Sequence, residues 1–181
     1  MDMLETARRY VKSGLCVLPA RAIKKCPDVP TWKPYQTRLP YEAEVDRWFS
    51  KAEAICVVCG SVSGNLEMLD FDLGGEAFEA WHQAVAAADP QLLARLVIEQ
   101  SPSGGWHVVY RSQAAVSGNM KLAQRLGPDG KVVTLIEIRG EGGLFLCAPT
   151  AGYEAARRCC ASWPKPRKAR PPWPSSRAAR R

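Results

Sequence analysis

No apolar run in the chain approaches the roughly 18 residues that a membrane-spanning helix needs. A signal-peptide pattern is also missing, because Asp2 and Glu5 stand where such a peptide is basic and then apolar. The seven cysteines are an odd number without regular spacing, unlike the disulfide framework of a secreted domain. We therefore expect a cytoplasmic protein that does not associate with membranes.

A complete set of zinc ligands is missing too. Cys56 and Cys59 have the spacing of half a zinc site, but no second Cys pair or Cys/His pair follows at a suitable distance along the chain. Residues three apart on a strand also face opposite ways. We therefore expect no zinc. Histidine is scarce as well, and His82 lies on a predicted helix with no acidic residue in register, so we assign it no role.

Acidic residues are absent from the C-terminal end. Residues 157–181 hold nine Lys or Arg and no Asp or Glu, which leaves 16 basic against 18 acidic residues before them. The same stretch has five prolines, and this composition predicts disorder. Such a tail either holds nucleic acid electrostatically or is simply solvated. We expect a folded domain over residues 1–156 and a basic, Pro/Arg-rich, disordered tail over residues 157–181.

Hydrophobic periodicity predicts the elements of the folded part. Helical spacing covers residues 2–13, 40–52, 76–88 and 90–96, and strand patterns cover residues 15–19, 55–59, 66–73, 97–100, 106–111, 131–139 and 144–148. Residues 114–125 are expected to be loop followed by a short helix, and the last two strands are expected to form a meander. The pattern predicts an α+β fold with a mostly antiparallel sheet.

The strand over residues 66–73 carries Asp70 and Asp72 near its end. Side chains alternate between the two faces of a strand, so both carboxylates share one face, about 7 Å apart. Like charges at the end of a buried strand are relieved by a raised pKa or by a bound cation. Oxygen ligands alone favour a hard ion such as Mg²⁺ or Mn²⁺. The alternative is an acidic strand end that water solvates.

Two later strands carry further candidates. His107 follows the glycines of Ser103-Gly104-Gly105, where a backbone can approach a ligand closely and cradle phosphate oxygens. A lone histidine is otherwise a satisfied core or surface residue. On the strand over residues 131–139, Glu137 interrupts an apolar face and needs a partner. One candidate partner is Arg139, in a salt bridge. If this strand instead neighbours the strand of Asp70, three carboxylates converge, an arrangement that suits two-metal nucleotidyl transfer.

The order and surroundings of these motifs resemble the bifunctional DNA primase/polymerase domain of the archaeo-eukaryotic primase superfamily, which occurs in plasmids, phages and mobile elements. The resemblance runs from about Ala7 to Tyr153. Three motifs carry it in the family's order, namely Leu69-Asp70-Phe71-Asp72, Ser101-Pro102-Ser103-Gly104-Gly105-Trp106-His107 and Ile136-Glu137-Ile138-Arg139-Gly140. Each motif alone is weak, whereas three in order with matching flanks are specific.

The resemblance implies a catalytic core related to the RNA-recognition fold, preceded by a small α/β unit. It implies a DNA primase and DNA polymerase, a nucleotidyltransferase that joins nucleotides on a single-stranded DNA template. Two divalent ions, Mg²⁺ or Mn²⁺, would be held by Asp70, Asp72 and Glu137. Ser103, His107 and the turn at Gly104 and Gly105 would contact the phosphates of an NTP or dNTP. Arg139 and Lys25 are further phosphate contacts on the same ground.

Two other interpretations remain open at this stage. A truncated relative would keep a sheet that binds nucleotide or single-stranded DNA but would no longer polymerise, with the basic tail adding salt-dependent affinity. A metal-dependent nuclease would use the same carboxylates. The chain carries no helicase segment, so a replicative helicase would be a separate protein.

Overall fold

Two antiparallel β-sheets organise residues 2–157, the part of the chain that this computed structural model describes. The predicted tail lies outside the described residues apart from Arg157. The mixture of antiparallel sheets and helices confirms the expected α+β class. No helix among the described residues has both the length and the apolar character needed to cross a membrane.

The elements follow one another in a simple order. The α-helices are α1 (Met3–Lys12), α2 (Glu42–Phe49), α3 (Phe78–Ala88) and α4 (Pro90–Leu93). The strands are β1 (Cys16–Arg21), β2 (Cys26–Pro27), β3 (Ala54–Val58), β4 (Leu66–Phe71), β5 (Val97–Gln100), β6 (Trp106–Arg111), β7 (Met120–Leu126), β8 (Val132–Arg139), β9 (Leu144–Cys147) and β10 (Glu154–Arg157). Most of them match the predicted elements within two residues at each end.

The first sheet has the strand order β2-β1-β3-β9. Both faces are buried, which explains why β1 and β3 are nearly continuous apolar runs. Helices α1 and α2 cover one face, where Tyr10 and Phe49 pack with Ile55. Asp2 caps α1 by accepting a hydrogen bond from the amide of Glu5. This sheet forms one wall of the candidate site.

The second sheet has the order β10-β5-β6-β4-β8-β7, with β4 in its centre as the sequence predicted. One face packs on α3 and α4, where Phe71 contacts the core that also contains Phe78 and Leu93. The opposite face places Met68 in the core shared with the first sheet. Asp70 follows Met68 on that face. The carboxylate therefore points into the space between the two sheets.

The last strand of the expected meander is in the other sheet. Strand β9 pairs with β3, where Ile55 lies opposite Cys147 and Val58 opposite Leu144, rather than with β8. The turn at residues 140–143 lets the chain leave the second sheet. Phe145 and Leu146 are buried in two different cores, so both faces of β9 must be packed against other side chains. Pairing at the edge of the first sheet allows this.

The prediction of a short helix within residues 114–125 is wrong. The segment is a loop followed by β7, which pairs with β8 as the edge strand of the second sheet, with two register shifts. Met, Lys, Leu, Ala, Gln and Arg all favour helices in isolation. Backbone pairing with β8 outweighs this preference, and such non-local pairing leaves no signal in local propensity.

Cys56 and Cys59 face different cores, as their spacing predicted. Cys56 packs on the outer face of the first sheet, and Cys59 packs between the sheets. Burial raises the pKa of the Cys56 thiol to about 12. This thiol is therefore protonated at neutral pH and behaves as a small apolar side chain.

Candidate active site

Four polar side chains lie in one row across the second sheet. Glu99 on β5 pairs in register with His107 on β6. His107 also pairs with Asp70 on β4, and Asp70 pairs with Glu137 on β8. Partners in register have their side chains on the same face, about 5 Å apart. The row therefore brings three carboxylates and one imidazole together on the face that looks toward the first sheet.

Asp72 completes the carboxylate cluster. It follows β4 directly, and its extended backbone continues the alternation, which keeps it on the face of Asp70. One oxygen each of Asp70, Asp72 and Glu137 lie within 4.8 Å of one another. Opposite oxygen ligands of one Mg²⁺ are about 4.2 Å apart, so the donor set fits a hard divalent ion. Of the alternatives that the sequence left open for Glu137, the one with the two acid-bearing strands as neighbours is present, whereas the role as metal ligands stays a prediction.

The electrostatics of the cluster favour a cation. Burial raises the pKa of Asp70 above its ordinary value, and the carboxylates of Asp72 and Glu137 act in the same direction. His107 and Arg139 oppose the shift. An acid with a raised pKa destabilises the folded state when it is ionised, and a bound cation relieves that cost.

Arg139 is the cation nearest to the carboxylates. Its Nη2 lies 2.8 Å from Oε2 of Glu137 and 3.8 Å from Oδ2 of Asp70. Both partners proposed for Glu137 from the sequence are therefore present, the salt bridge and the carboxylate cluster. A guanidinium in this position neutralises part of the charge that a divalent ion would otherwise neutralise.

Replacing Arg139 by Gln should make the fold more dependent on metal. In EDTA we expect the free energy of unfolding to fall by about 1 kcal/mol, because an ion pair whose side chains are 31% and 19% exposed disappears and the carboxylates face one another unscreened. Mn²⁺ should then raise the thermal midpoint of the variant by more than it raises that of the wild type. Arg8→Gln is the control, since it removes a distant pair with Asp46 (2.8 Å). An equal response to Mn²⁺ in both proteins would contradict the expected competition.

His107 is buried, and an acidic side chain lies near each of its two ring nitrogens. Its Nδ1 lies 2.9 Å from Oε1 of Glu99, and its Nε2 lies 3.7 Å from Oδ1 of Asp70. The first contact has hydrogen-bonding length and the second is too long for one. The rings of Phe145 and Tyr153 lie against the imidazole at centroid distances of 5.7 and 5.6 Å. Only the ring edge that carries Nε2 is directed at the carboxylate cluster.

Sequence reasoning missed Glu99. Its side chain is 3% exposed, and its Oε2 accepts a hydrogen bond from the amide of Ala148 at 3.2 Å. A usable signal was present, because Glu99 interrupts an apolar strand just as Glu137 does. The glycine-containing loop at residues 101–105 predicts a hairpin of β5 with β6, and the structure confirms that pairing, but the pattern did not give the register that sets Glu99 opposite His107.

A cleft of about 270 Å³ opens between the two sheets. Six of the predicted site residues line it, namely Lys25, Asp70, Asp72, Ser103, His107 and Arg139. They come from strands of the second sheet and from loops far apart in the chain, including the turn between β1 and β2 of the first sheet. Glu137 is not among the lining residues and reaches the site through its place in the carboxylate cluster.

Gly104 and Gly105 do not line the cleft. The amide of Gly104 donates to the carbonyl of Ser101 within the turn, at 2.9 Å. A Cβ at Gly105 would lie 2.5 Å from the carbonyl oxygen of Phe71, so glycine lets the turn pack on the end of β4. Packing explains Gly105, and a backbone φ of +80° explains Gly104, whereas the predicted contact of both with phosphates stays a prediction.

Aromatic side chains that the sequence did not single out also line the cleft. Trp32 comes from the loop after β2, and Tyr153 follows the turn after β9. Burial, assisted by the charges of Glu99 and Asp70, raises the pKa of Tyr153 to about 12, so its phenol keeps its proton and can donate a hydrogen bond. Asn119, just before β7, lines the cleft as well.

Comparison with known proteins places the chain in a family. A search of curated proteins finds no match. A family model described as the bifunctional DNA primase/polymerase N-terminal domain matches residues 7–173, more than nine-tenths of the chain. The match includes both sheets, the carboxylate cluster and the residues of the cleft. The chain therefore belongs to the bifunctional DNA primase/polymerase N-terminal family.

Proposed function

We propose that this chain is a template-dependent nucleotidyltransferase that makes or extends primers on single-stranded DNA. Membership in the family implies DNA primase or polymerase activity in general. The observation that supports the specific reaction is the convergence of Asp70, Asp72 and Glu137 beside a cleft that also holds cationic side chains. Carboxylates suit divalent ions, and cations suit the triphosphate that those ions accompany.

The side chains at the cleft have different proposed ligands according to their charge. Asp70, Asp72 and Glu137 would hold the divalent ions. Lys25 lies in the turn between β1 and β2 and contributes a cationic head, and Ser103 lies in the turn after β5 and contributes a hydroxyl. Together with His107 and Arg139 they would bind the phosphate oxygens of an NTP or dNTP from opposite walls.

Mg²⁺ or Mn²⁺ bound at the carboxylates would lower the pKa of the attacking 3′-hydroxyl and balance the charge of the triphosphate. The chain itself supplies geometry. Asp70 and Glu137 stand on hydrogen-bonded strands, so the backbone fixes their separation. Hydrogen bonds from Lys25 and His107 would strengthen as negative charge moves to the departing pyrophosphate.

The second sheet with α3 and α4 corresponds, in this proposal, to the catalytic core related to the RNA-recognition fold. The first sheet with α1 and α2 corresponds to the small α/β unit that precedes it. Strands of the first sheet come from residues 16–58 and from β9, so the unit is completed by a strand that lies in the chain between β8 and β10 of the core. The family context favours replication of a plasmid, phage or other mobile element, together with a separate helicase.

The test is incorporation of labelled nucleotides on single-stranded DNA with Mg²⁺ or Mn²⁺, with and without a primer. We expect metal-dependent product that EDTA abolishes. Product without a primer identifies a primase, and product only with a primer identifies a polymerase that extends. A parallel reaction with labelled DNA, metal and no nucleotides tests the nuclease, because only a nuclease shortens the strand.

A second outcome of this assay would support the alternative function, a relative of the family that binds nucleotide and DNA but does not polymerise. If a folded protein binds triphosphate and single-stranded DNA but makes no product with either ion, the polymerase proposal fails and the binding module replaces it. The four-residue row and Asp72 favour the active enzyme, since a protein that only binds has no need for three clustered carboxylates, one of which, Asp70, has its pKa raised by burial.

A further inference from the structure

Glu99 has no place in the reaction described above, although it is the most deeply buried of the clustered acids. Its side chain is 3% exposed. A buried carboxylate is costly unless both oxygens are paired. Oε1 is 2.9 Å from Nδ1 of His107, and Oε2 accepts from the amide of Ala148 at 3.2 Å. Both oxygens are therefore committed to partners at the floor of the cleft.

We infer that Glu99 is a positioning residue that orients His107 for nucleotide binding. The inference rests on the proposed function for its ligand, the triphosphate. An imidazole can turn about its side-chain bonds and exchange the positions of its two nitrogens. The hydrogen bond from Nδ1–H to Glu99 fixes one orientation, in which Nε2 faces Asp70 and the cleft.

Few other neighbouring groups can fix the orientation of the imidazole ring. Phe145 and Tyr153 contact the ring as aromatic neighbours and do not distinguish its two nitrogens. Asp70 lies 3.7 Å from Nε2, beyond hydrogen-bonding distance. Glu99 thus makes the one polar contact of hydrogen-bonding length to the ring among the described residues.

Glu99 also joins the two sheets, and a purely structural role has to be separated from positioning. Ala148 directly follows β9 of the first sheet, whereas Glu99 is on β5 of the second. Loss of that contact would loosen the fold without acting through His107. The two roles differ in whether the effect of a Glu99 substitution survives when His107 is already gone.

The first experiment is NMR of imidazole N–H protons in the full-length protein without nucleotide. Only His82 and His107 contribute signals. We expect one slowly exchanging Nδ1–H signal that His107→Asn removes and that His82→Asn leaves in place. Glu99→Leu, which is apolar and of similar size, should abolish it while the rest of the spectrum stays folded. Persistence of the signal in Glu99→Leu would overturn the inference.

The second experiment is a double-mutant cycle on the dissociation constant of a dNTP with Mg²⁺. Glu99→Leu should weaken binding about tenfold, the lower end of the effect of losing a carboxylate that supports a site histidine. Glu99→Gln keeps one acceptor and should recover most of the affinity. In a His107→Ala background, Glu99→Leu should change the dissociation constant by less than about twofold.

The outcomes separate the two proposals. If Glu99→Leu weakens binding equally with and without His107, Glu99 acts through the fold and the positioning role is wrong. If the wild type binds no triphosphate, the proposed function fails, while the N–H signal still decides whether Glu99 orients the ring. Binding by the wild type with no effect of Glu99→Leu would overturn the inference alone.

Discussion

Asp70→Asn should lower nucleotide incorporation by at least about 10³-fold, because removing one preorganised charge contact typically costs about 10²–10³-fold and a lost ligand also weakens ion binding. Asp72→Asn should act in the same way, since both oxygens belong to the cluster within 4.8 Å. The measurement is product formation at saturating Mn²⁺ with a primed template. Full activity in either variant would sink the assignment of the site.

The same substitution should leave the fold intact or stabilise it. The pKa of Asp70 is raised by burial, so its stabilising contribution is present below the unfolded pKa, about 3.9, and is lost as pH rises through the higher folded value. At neutral pH without metal the ionised carboxylate is unfavourable. Asp70→Asn should therefore not lower the thermal midpoint in EDTA, and a large decrease would show that its inactivity reflects unfolding.

Glu67→Gln is the matched control for the Asp70 variant. Glu67 is also an acid on β4, but its side chain lies on the opposite face, where it is in register with Tyr110. A glutamine still offers Tyr110 an acceptor. Activity should stay within about twofold of wild type, since a surface-facing change away from the site is usually near neutral.

Gly105→Ala should destabilise the protein by about 2–3 kcal/mol, which corresponds to about 5–10 °C in the thermal midpoint. The new Cβ would lie 2.5 Å from the carbonyl oxygen of Phe71 and 3.1 Å from Oγ of Ser101. A backbone carbonyl cannot move aside as the end of a flexible side chain can, so the turn that contains Gly105 must move. Ser101 and Ser103, which line the cleft, move with it, and nucleotide KM should rise.

Gly118→Ala tests whether the effect belongs to the close approach. At Gly118 the nearest atom to an added Cβ is the carbonyl oxygen of Glu141, at 3.9 Å, an ordinary contact. Its midpoint should change by less than about 2 °C. A midpoint for Gly105→Ala as high as that of Gly118→Ala would show that the turn does not rest on β4 as described.

Much of the site was accessible from local pattern. A period of two along β4 places Asp70 and Asp72 on one face whatever the neighbours are. Glu137 and His107 stood out because each interrupts a strand or follows a glycine turn. The order of the three motifs identified the family, which the family comparison confirms over residues 7–173.

Other features had no local signal. The residues of β7 favour a helix in isolation, and β9 reads like a continuation of the meander, yet pairing with β8 and with β3 decides both. Glu99 was visible only as an acid in an apolar strand. Its histidine partner depends on the register between β5 and β6.

The sequence by itself determined most of the strands and the shared face of Asp70 and Asp72, and it predicts oxygen ligands suited to a hard divalent ion, because alternation and side-chain type are properties of a few consecutive residues. Only the tertiary structure decided that β8 and β6 flank β4, that Glu99 holds His107, and that Lys25 faces the carboxylates across a cleft. Those relations depend on pairing between distant segments, which the free energy of the whole fold selects.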